Sequence, residues 1–253
     1  MTVQAHAKLN VFLRVLGRRT DGYHDLESLI LPLDLADAVT VTAGGDRSLT
    51  VDGPTAAGVP DGDDNLALRA AAALAGAVGG SSKDASIRID KRIPVAAGMG
   101  GGSADAAATI RALDRLWACG LDIAALAEVA AAVGSDVPAL VRGGAVFVSG
   151  RGEAVEPVHA LTTWWVVRPF PFAVRTPAAF AWWDADGETG PDGGAVIAAL
   201  ETGNDDLLGS ALFNDLQPGV VALARHLGHA DELAAAVPDS FVTSGPPPAI
   251  IGR

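Results

Sequence analysis

The sequence contains a single cysteine, Cys119, which excludes an internal disulfide and fits a reducing compartment. Basic residues are also scarce: 18 Lys and Arg stand against 30 Asp and Glu, which leaves a formal net charge of -12. No run of Lys or Arg offsets this charge, which argues against nucleic acid or an anionic membrane as a partner. An anionic substrate would have to be held locally, by backbone N–H groups at a helix start, one or two lysines and a metal ion.

Long hydrophobic runs are missing as well. Residues 1–10 lack a basic segment followed by an apolar one, and the Ala-rich stretches are broken by charge or Gly before they could span a membrane. The mean hydropathy of +0.31 reflects Ala, Val and Leu at helical spacing, as in a soluble α/β chain. We expect a cytoplasmic protein with two modest domains, because 253 residues exceed the usual size of one.

Hydrophobic periodicity predicts a mixture of strands and helices. Strands are predicted over residues 3–16, 26–42 (interrupted at Pro32), 86–90, 143–149, 163–168 and 240–243. Helices are predicted over 65–78, capped by Asp63, Asp64 or Asn65, and over 121–133, 177–184, 193–201 and 218–236. A further short helix is predicted to start within residues 134–138. Residues 151–157 are predicted to form a charged turn near a domain boundary, and 184–194 a solvated loop.

The most informative segment is residues 94–105, PVAAGMGGGSAD, between a predicted strand and an Ala-rich helix that starts near Ser103 and ends near Gly120. Glycines allow positive φ and a close approach to a ligand, and a helix start directs N–H groups at an anion. The segment is not a Walker A loop, since no Gly-Lys-Ser/Thr follows, and it lacks the distant acidic residue of a dinucleotide fingerprint. It predicts a phosphate-binding loop, with a flexible turn capped by Ser103 as the alternative.

This segment resembles the ATP-phosphate loop of the GHMP kinases. Two further motifs resemble one branch of that family, the diphosphocytidyl-methylerythritol kinases: AKLN at residues 7–10, followed by Gly22-Tyr23-His24, matches their substrate end, and GSDVP at 134–138 matches their catalytic Asp motif. Galactokinases, mevalonate kinases and homoserine kinases share the loop but not this combination. The resemblance covers residues 5–183 well and the remainder loosely.

The resemblance implies ATP-dependent phosphorylation of the 2-hydroxyl of 4-diphosphocytidyl-2-C-methyl-D-erythritol, a step of the non-mevalonate route to isoprenoids. It implies an α+β fold, with a ribosomal protein S5 domain 2-like N-terminal half (residues 1–155) and an incomplete ferredoxin-like C-terminal half (156–253). ATP and Mg²⁺ are the implied cofactors, since a bridging cation neutralises phosphate oxygens. No residue is assigned as a metal ligand, although Ser103 is a candidate neighbour of the ion. The partner is a small molecule, and the enzyme is a monomer or homodimer.

Residue roles follow from the same resemblance. Asp136 matches the general base, and general-base catalysis typically increases a reaction rate by about 10²–10⁴-fold. Lys8 matches the catalytic lysine, which would keep Asp136 ionised and favour charge on the transferring group. The alternatives are a helix cap for Asp136 and a solvated strand position for Lys8. ATP would contact the residues of the loop: Pro94, Val95, Ala96, Ala97, Gly98, Met99, Gly100, Gly101, Gly102, Ser103 and Ala104.

The resemblance also assigns the cytidine end of the substrate. His24 would form hydrogen bonds with the cytosine, Tyr23 and Phe180 would stack on it, and Asn10 would orient the substrate. Core packing is the alternative for Phe180. Trp164, Trp165, Trp182 and Trp183 have no matched role and are interpreted as packing residues.

The C-terminus departs from the family pattern. Thr243-Ser244-Gly245 begins a third glycine motif, but three prolines follow, and residues 246–253 are predicted to form neither a central strand nor a helix interior. We expect a truncated or frame-shifted C-terminal domain with an exposed apolar sheet face. Two alternatives stay open: another GHMP kinase acting on a sugar or amino-acid alcohol, or a catalytically impaired nucleotide-binding relic. A structural or interaction protein is hard to reconcile with the matched motifs.

Overall fold

The computed structural model describes residues 1–44, 47–79, 84–95, 97–170, 172, 174–234, 241–242 and 249–252. The chain divides into two compact units, the first comprising Met1–Lys8, Pro32–Val95 and Met99–Gly144, and the second Leu9–Leu31, Ala96–Gly98 and Ala145–Arg253. Two long strands, β1 (Thr2–Arg18) and β2 (His24–Ala43), contribute residues to both units. The division expected at residue 155 stays a prediction.

The first unit places helices beside a sheet. Its other elements are β3 (Ser48–Asp52), α1 (Leu66–Ala77), β4 (Ala85–Asp90), α2 (Gly101–Leu116), α3 (Ile123–Ala131) and α4 (Val137–Arg142). The strand order is β3-β4-β2-β1, with β4 parallel to β3 and antiparallel to β2. Helix α1 begins as predicted at Asn65, whose side chain accepts from the Ala67 N–H. Helix α2 is Ala-rich and buried on nearly every side, so its polar residue Asp105 lies in the interior.

The second unit contains the remaining elements. They are β5 (Val146–Gly150), β6 (Ala154–Pro157), β7 (Val166–Pro169), α5 (Thr176–Asp186), α6 (Gly194–Thr202), α7 (Asp205–Ala211), β8 (Phe213–Asn214), α8 (Gln217–His226), α9 (Ala230–Ala234), β9 (Phe241–Val242) and β10 (Ala249–Gly252). Strand β5 pairs antiparallel with β2 and β6, and β8 pairs parallel with β1. A second sheet has the order β7-β10-β9. A hydrophobic core joins β1, α5 and α8 through Leu13, Val15, Ala179, Leu216 and Val220.

Several local predictions were wrong. Pro32 does not interrupt β2, because it lies between the stretch that pairs with β5 (Leu26 to Ile30) and the stretch that pairs with β4 (Ala38 to Ala43), where its missing N–H breaks neither ladder. The single helix predicted over 218–236 is divided into α8 and α9, with Gly228 at a φ of +91° between them. Strands β3, β6 and β8 and helix α7 were not predicted.

The C-terminal prediction also needs correction. Strand β10 follows the three prolines and pairs antiparallel with β7 on one side and β9 on the other, so it is the central strand of its sheet. Prolines forbid a ladder only where they themselves lie, and the four residues after them keep their donors. The prolines and the Thr243-Ser244-Gly245 motif lie outside the described residues. Within the described part of the chain, no helix is long and apolar enough to cross a membrane.

Candidate active site

Lys8 and Asp136 form an ion pair in the first unit. The Lys8 Nζ lies 3.2 Å from Asp136 Oδ2, and the two side chains are 9% and 40% exposed. The backbone N–H of Lys8 donates to the Met99 carbonyl at 2.9 Å, which ties β1 to the glycine-rich segment. A buried ammonium therefore meets a carboxylate that solvent can reach, and the solvated position considered for Lys8 is wrong.

Asp136 occupies the N-cap position of α4, as its alternative interpretation expected. Within the described part of the chain, however, its side chain makes no capping hydrogen bond, and Pro138 stands in the first turn, where a missing N–H costs little. The carboxylate points to Lys8 instead. A carboxylate that is not used by its own helix is available to accept a proton.

The glycine loop, residues 94–104, leads from β4 into α2. Gly98 and Gly100 have φ values of +71° and +67°, which glycine adopts without strain. A Cβ at Gly100 would lie 2.9 Å from the Cγ and 3.0 Å from the Cε of Lys8. Gly100 therefore lets the loop backbone pass directly against the Lys8 side chain. Ala96 lies outside the described residues.

A buried ion cluster of Asp37, Lys91 and Asp105 lies beside the loop in the first unit. Lys91 Nζ donates to Asp37 Oδ2 at 2.5 Å and to Asp105 Oδ2 at 2.7 Å. All three side chains are at most 3% exposed. Asp37 Oδ1 also accepts from the backbone N–H groups of Arg92 at 2.5 Å and Ile93 at 2.8 Å. The cluster thus joins β2, the end of β4 and α2.

Asp105 is the least satisfied member of this cluster. Burial raises the pKa of the Asp105 carboxyl to about 7, although the Lys91 ammonium acts in the opposite direction. Its Oδ1 is buried and has no hydrogen-bond partner among the described residues. A proton on Oδ1 would leave Oδ2 able to accept from Lys91.

In the second unit, His24 contacts Phe180, Trp183 and Asp184, and these four residues form an aromatic cluster. The imidazole stacks on Phe180 with a centroid distance of 4.5 Å and an interplanar angle of 21°, and Trp183 meets it edge-on at 6.0 Å. His24 Nε2 lies 2.7 Å from Asp184 Oδ1. Phe180 also packs against the core of this unit, so the structure gives it both a packing contact and a ring contact.

Other predicted substrate residues have defined partners in the second unit. The Asn10 Nδ2 donates to Ser28 Oγ at 2.7 Å, and that hydroxyl donates to the Phe12 carbonyl at 2.6 Å, which fixes the orientation of the Asn10 amide. Tyr23 is 51% exposed, and the Arg151 guanidinium carbon lies 5.2 Å from its ring centroid. About half of Tyr23 is therefore accessible, while the Arg151 guanidinium lies over its ring.

The tryptophans behave less uniformly than predicted. Trp183 packs against the core, and Trp182 lies against α8, where a Cβ at Gly219 would be 2.9 Å from its Cε3. The indole of Trp165 donates to Thr163 Oγ1 at 2.8 Å. Trp164 is 87% exposed, so the packing interpretation is wrong there; isolated large apolar residues are common on protein surfaces.

Sequence reasoning missed two sets of residues. Asp184 stands four positions after Phe180 on α5, a spacing that places both on one helix face and could have suggested their association. The Asp37–Lys91–Asp105 cluster had no such local signal. Its formation depends on the β2–β4 register, in which Ala38 faces Asp90 and brings the neighbours Asp37 and Lys91 together.

Comparisons with known proteins identify the family. The model of the GHMP kinases N terminal domain matches residues 65–144. The chain is 41% identical over 255 residues to the 4-diphosphocytidyl-2-C-methyl-D-erythritol kinase of Salinispora tropica, with 96% of this chain and 81% of that relative covered. The protein of the same name from Kineococcus radiotolerans is 42% identical over 266 residues, covering 100% of this chain and 82% of the relative. The chain belongs to the 4-diphosphocytidyl-2-C-methyl-D-erythritol kinase family.

Solved structures agree with membership of this kinase family. A crystal structure of 4-(cytidine 5'-diphospho)-2C-methyl-D-erythritol kinase matches with a TM-score of 0.77 and 32% identity, covering 100% of this chain and 89% of that one. A homoserine kinase from Cytophaga hutchinsonii matches with a TM-score of 0.65 and 15% identity, over 98% of this chain and 85% of that one, and shows the fold alone. The predicted GHMP kinase fold is confirmed, and the chain is an ATP-dependent small-molecule kinase.

Proposed function

We propose that this member of the 4-diphosphocytidyl-2-C-methyl-D-erythritol kinase family transfers the γ-phosphoryl group of ATP to the 2-hydroxyl of 4-diphosphocytidyl-2-C-methyl-D-erythritol. The observation that carries the proposal is the Lys8–Asp136 ion pair, with 3.2 Å between Nζ and Oδ2. Phosphoryl transfer needs an aimed acceptor hydroxyl and stabilised charge, and this pair has one group for each task.

Asp136 is proposed as the group that accepts the proton of the attacking hydroxyl. Its side chain is 40% exposed, so a substrate alcohol can reach it. Lys8 is proposed to stabilise the negative charge on the transferring phosphoryl group. The glycine loop and the first N–H groups of α2 are proposed to hold the ATP phosphates.

The aromatic cluster and its neighbours are proposed to bind the cytidine end. Phe180 and Tyr23 supply aromatic surfaces for the base, while His24 and Asn10 supply polar contacts. The hydrogen bonds from His24 to Asp184 and from Asn10 to Ser28 support this assignment, because they fix the orientation of both polar side chains.

Mg²⁺ is proposed to enter with ATP. Among the described residues, no group of three or more His, Cys, Asp or Glu side chains could hold a metal ion. Mg²⁺ usually keeps several waters and takes one or two protein oxygens besides phosphate oxygens, and the Ser103 hydroxyl in the first turn of α2 could supply one of them. When bound, the ion would neutralise the β- and γ-phosphate oxygens. Cytoplasmic location and a monomeric or dimeric state also stay predictions.

The test is ADP release from Mg-ATP with 4-diphosphocytidyl-2-C-methyl-D-erythritol, compared with release in the presence of galactose, mevalonate or homoserine. Turnover with the cytidine compound alone, inhibited by CDP, is expected. Faster turnover with another alcohol would contradict the substrate assignment. ATP binding without turnover on any acceptor would favour the impaired relic.

A further inference from the structure

Two buried carboxylates, Asp37 and Asp105, lie at the two ends of the glycine loop and are joined through Lys91. Before the loop, Asp37 Oδ1 accepts from the N–H groups of Arg92 and Ile93. After the loop, Asp105 on α2 accepts from Lys91 Nζ at 2.7 Å, and the same Nζ donates to Asp37 Oδ2. A continuous chain of hydrogen bonds therefore connects the segment that enters the loop with the helix that leaves it.

Stability alone does not explain why these three buried residues are ionisable. Burying an ion pair costs desolvation free energy for each ion, and replacing such a pair by apolar side chains is often neutral or stabilising. Hydrogen bonds between ions differ from apolar contacts because they fix particular atoms at particular distances. The buried ion cluster thus supplies geometry that apolar side chains would not.

The start of α2 packs directly against this cluster. A Cβ at Gly101, the first residue of α2, would lie 3.0 Å from Lys91 Nζ and 3.1 Å from Ile93 Cγ2. Glycine at this position lets the helix start lie close to the Lys91 ammonium, so the placement of Lys91 bears directly on the N–H groups of the first helical turn. Those are the groups proposed to meet the ATP phosphates.

We propose that Asp37, Lys91 and Asp105 are positioning residues that hold both ends of the glycine loop and thereby set the affinity for ATP. This inference rests on the proposed function, because it takes the loop as the phosphate site. Because its side chains are at most 3% exposed, the cluster would act through the loop and not by direct contact with a substrate. Its effect is expected on ATP binding and not on the acceptor alcohol.

The test compares two substitutions of nearly equal shape, Asp105→Asn and Asp105→Leu. The Asn side chain keeps an oxygen that accepts from Lys91, whereas Leu does not. Dissociation constants for a non-hydrolysable ATP analogue with Mg²⁺ are measured, together with KM for ATP, KM for the cytidine substrate and kcat. Circular dichroism melting checks that each variant folds.

For Asp105→Leu we expect the dissociation constant and KM for ATP to rise by about tenfold or more, the effect of losing one buried hydrogen bond to an ion. KM for the cytidine substrate should stay within about twofold, and Asp105→Asn should restore ATP affinity to within about threefold. Unchanged ATP affinity in a folded Asp105→Leu protein, or equal losses in both variants, would overturn the inference.

If Asp105→Leu does not fold, the double substitution Lys91→Met, Asp105→Leu decides the question, because it removes both the ammonium and the carboxylate partner on α2. The same loss of ATP affinity is expected, and wild-type affinity would again overturn the inference. Failure of the unmodified protein to bind ATP would instead contradict the proposed function. The two failures are therefore distinguishable.

Discussion

The side chains of the buried ion cluster in the first unit are at most 3% exposed, whereas Tyr23 in the second unit is 51% exposed. The first unit uses fixed charges and directional hydrogen bonds beside the loop proposed for phosphates. The second uses aromatic rings and partly exposed polar groups for a neutral base. In a buried site, moving two opposite charges apart by about an ångström weakens their attraction considerably. Stacked aromatic rings tolerate small shifts better. Substitutions should therefore reduce turnover or ligand affinity more in the first unit than in the second.

The largest effect is expected for Lys8→Met. Removing the ammonium 3.2 Å from Asp136 takes away the charge proposed to stabilise the transferring group, and kcat should fall by about 10²–10³-fold. Arg92→Met is the matched control, because the Arg92 side chain is 61% exposed and its guanidinium pairs with Asp90 at the surface. A kcat for Lys8→Met close to that of the control would contradict the role of Lys8.

Gly100→Ala tests the close approach of the loop to Lys8. An Ala at a φ of +67° costs roughly 1–2 kcal/mol, and its Cβ would lie 2.9 Å from Lys8 Cγ. We expect kcat to fall by about tenfold or more, because Lys8 must move. Gly76→Ala in α1 is the control, since a Cβ there meets no described atom within 4 Å; it should gain about 0.5–1 kcal/mol of unfolding free energy.

Asp184→Ala tests the second unit. Loss of the 2.7 Å contact to His24 should weaken CDP binding by about fivefold, as expected for one partly exposed hydrogen bond. Isothermal titration of CDP measures this effect, and ATP-analogue binding serves as the internal reference. Asp186→Ala, an exposed carboxylate on the same helix, should leave CDP affinity unchanged. If both variants weaken CDP equally, helix charge and not His24 is responsible.

The last prediction concerns the pH dependence of stability and not of activity. Since burial raises the pKa of Asp105 to about 7 in the folded protein, the folded state binds one more proton than the unfolded state between about pH 4 and 7. The contribution of Asp105 to the free energy of unfolding therefore falls as pH rises through this window. Urea unfolding at pH 5 and pH 8 gives the free energy of unfolding of Asp105→Asn and of the unmodified protein. The difference between them should favour the variant more at pH 8 than at pH 5. A difference independent of pH would contradict the raised pKa.

Sequence predicted the elements of the first unit better than the contacts between them. Helices α1 to α4 begin at recognisable caps or at the glycine loop, and the Lys8–Asp136 pairing followed from the family motifs. Asp37 and Lys91 are 54 positions apart, and only the strand register brings them together. Local patterns carry no information on such a register, because it depends on how the two strands align.

Prediction was weaker in the second unit for a different reason. Its strands β6, β8 and β10 have two to four residues, too few for alternation to be recognised. The prolines before β10 suggested an interrupted sheet, yet pairing with two neighbouring strands determines the conformation of residues 249–252. Tertiary pairing thus overrode the local signal.

Asp136→Asn tests most directly whether the Lys8–Asp136 pair performs the transfer. Single-turnover formation of phosphorylated product is measured at saturating Mg-ATP and 4-diphosphocytidyl-2-C-methyl-D-erythritol, together with CDP and ATP-analogue binding. The predicted result is a rate lower by about 10²–10⁴-fold, with both dissociation constants within about threefold of the unmodified protein. A rate within about threefold of the unmodified enzyme would contradict the assignment of Asp136 as the general base.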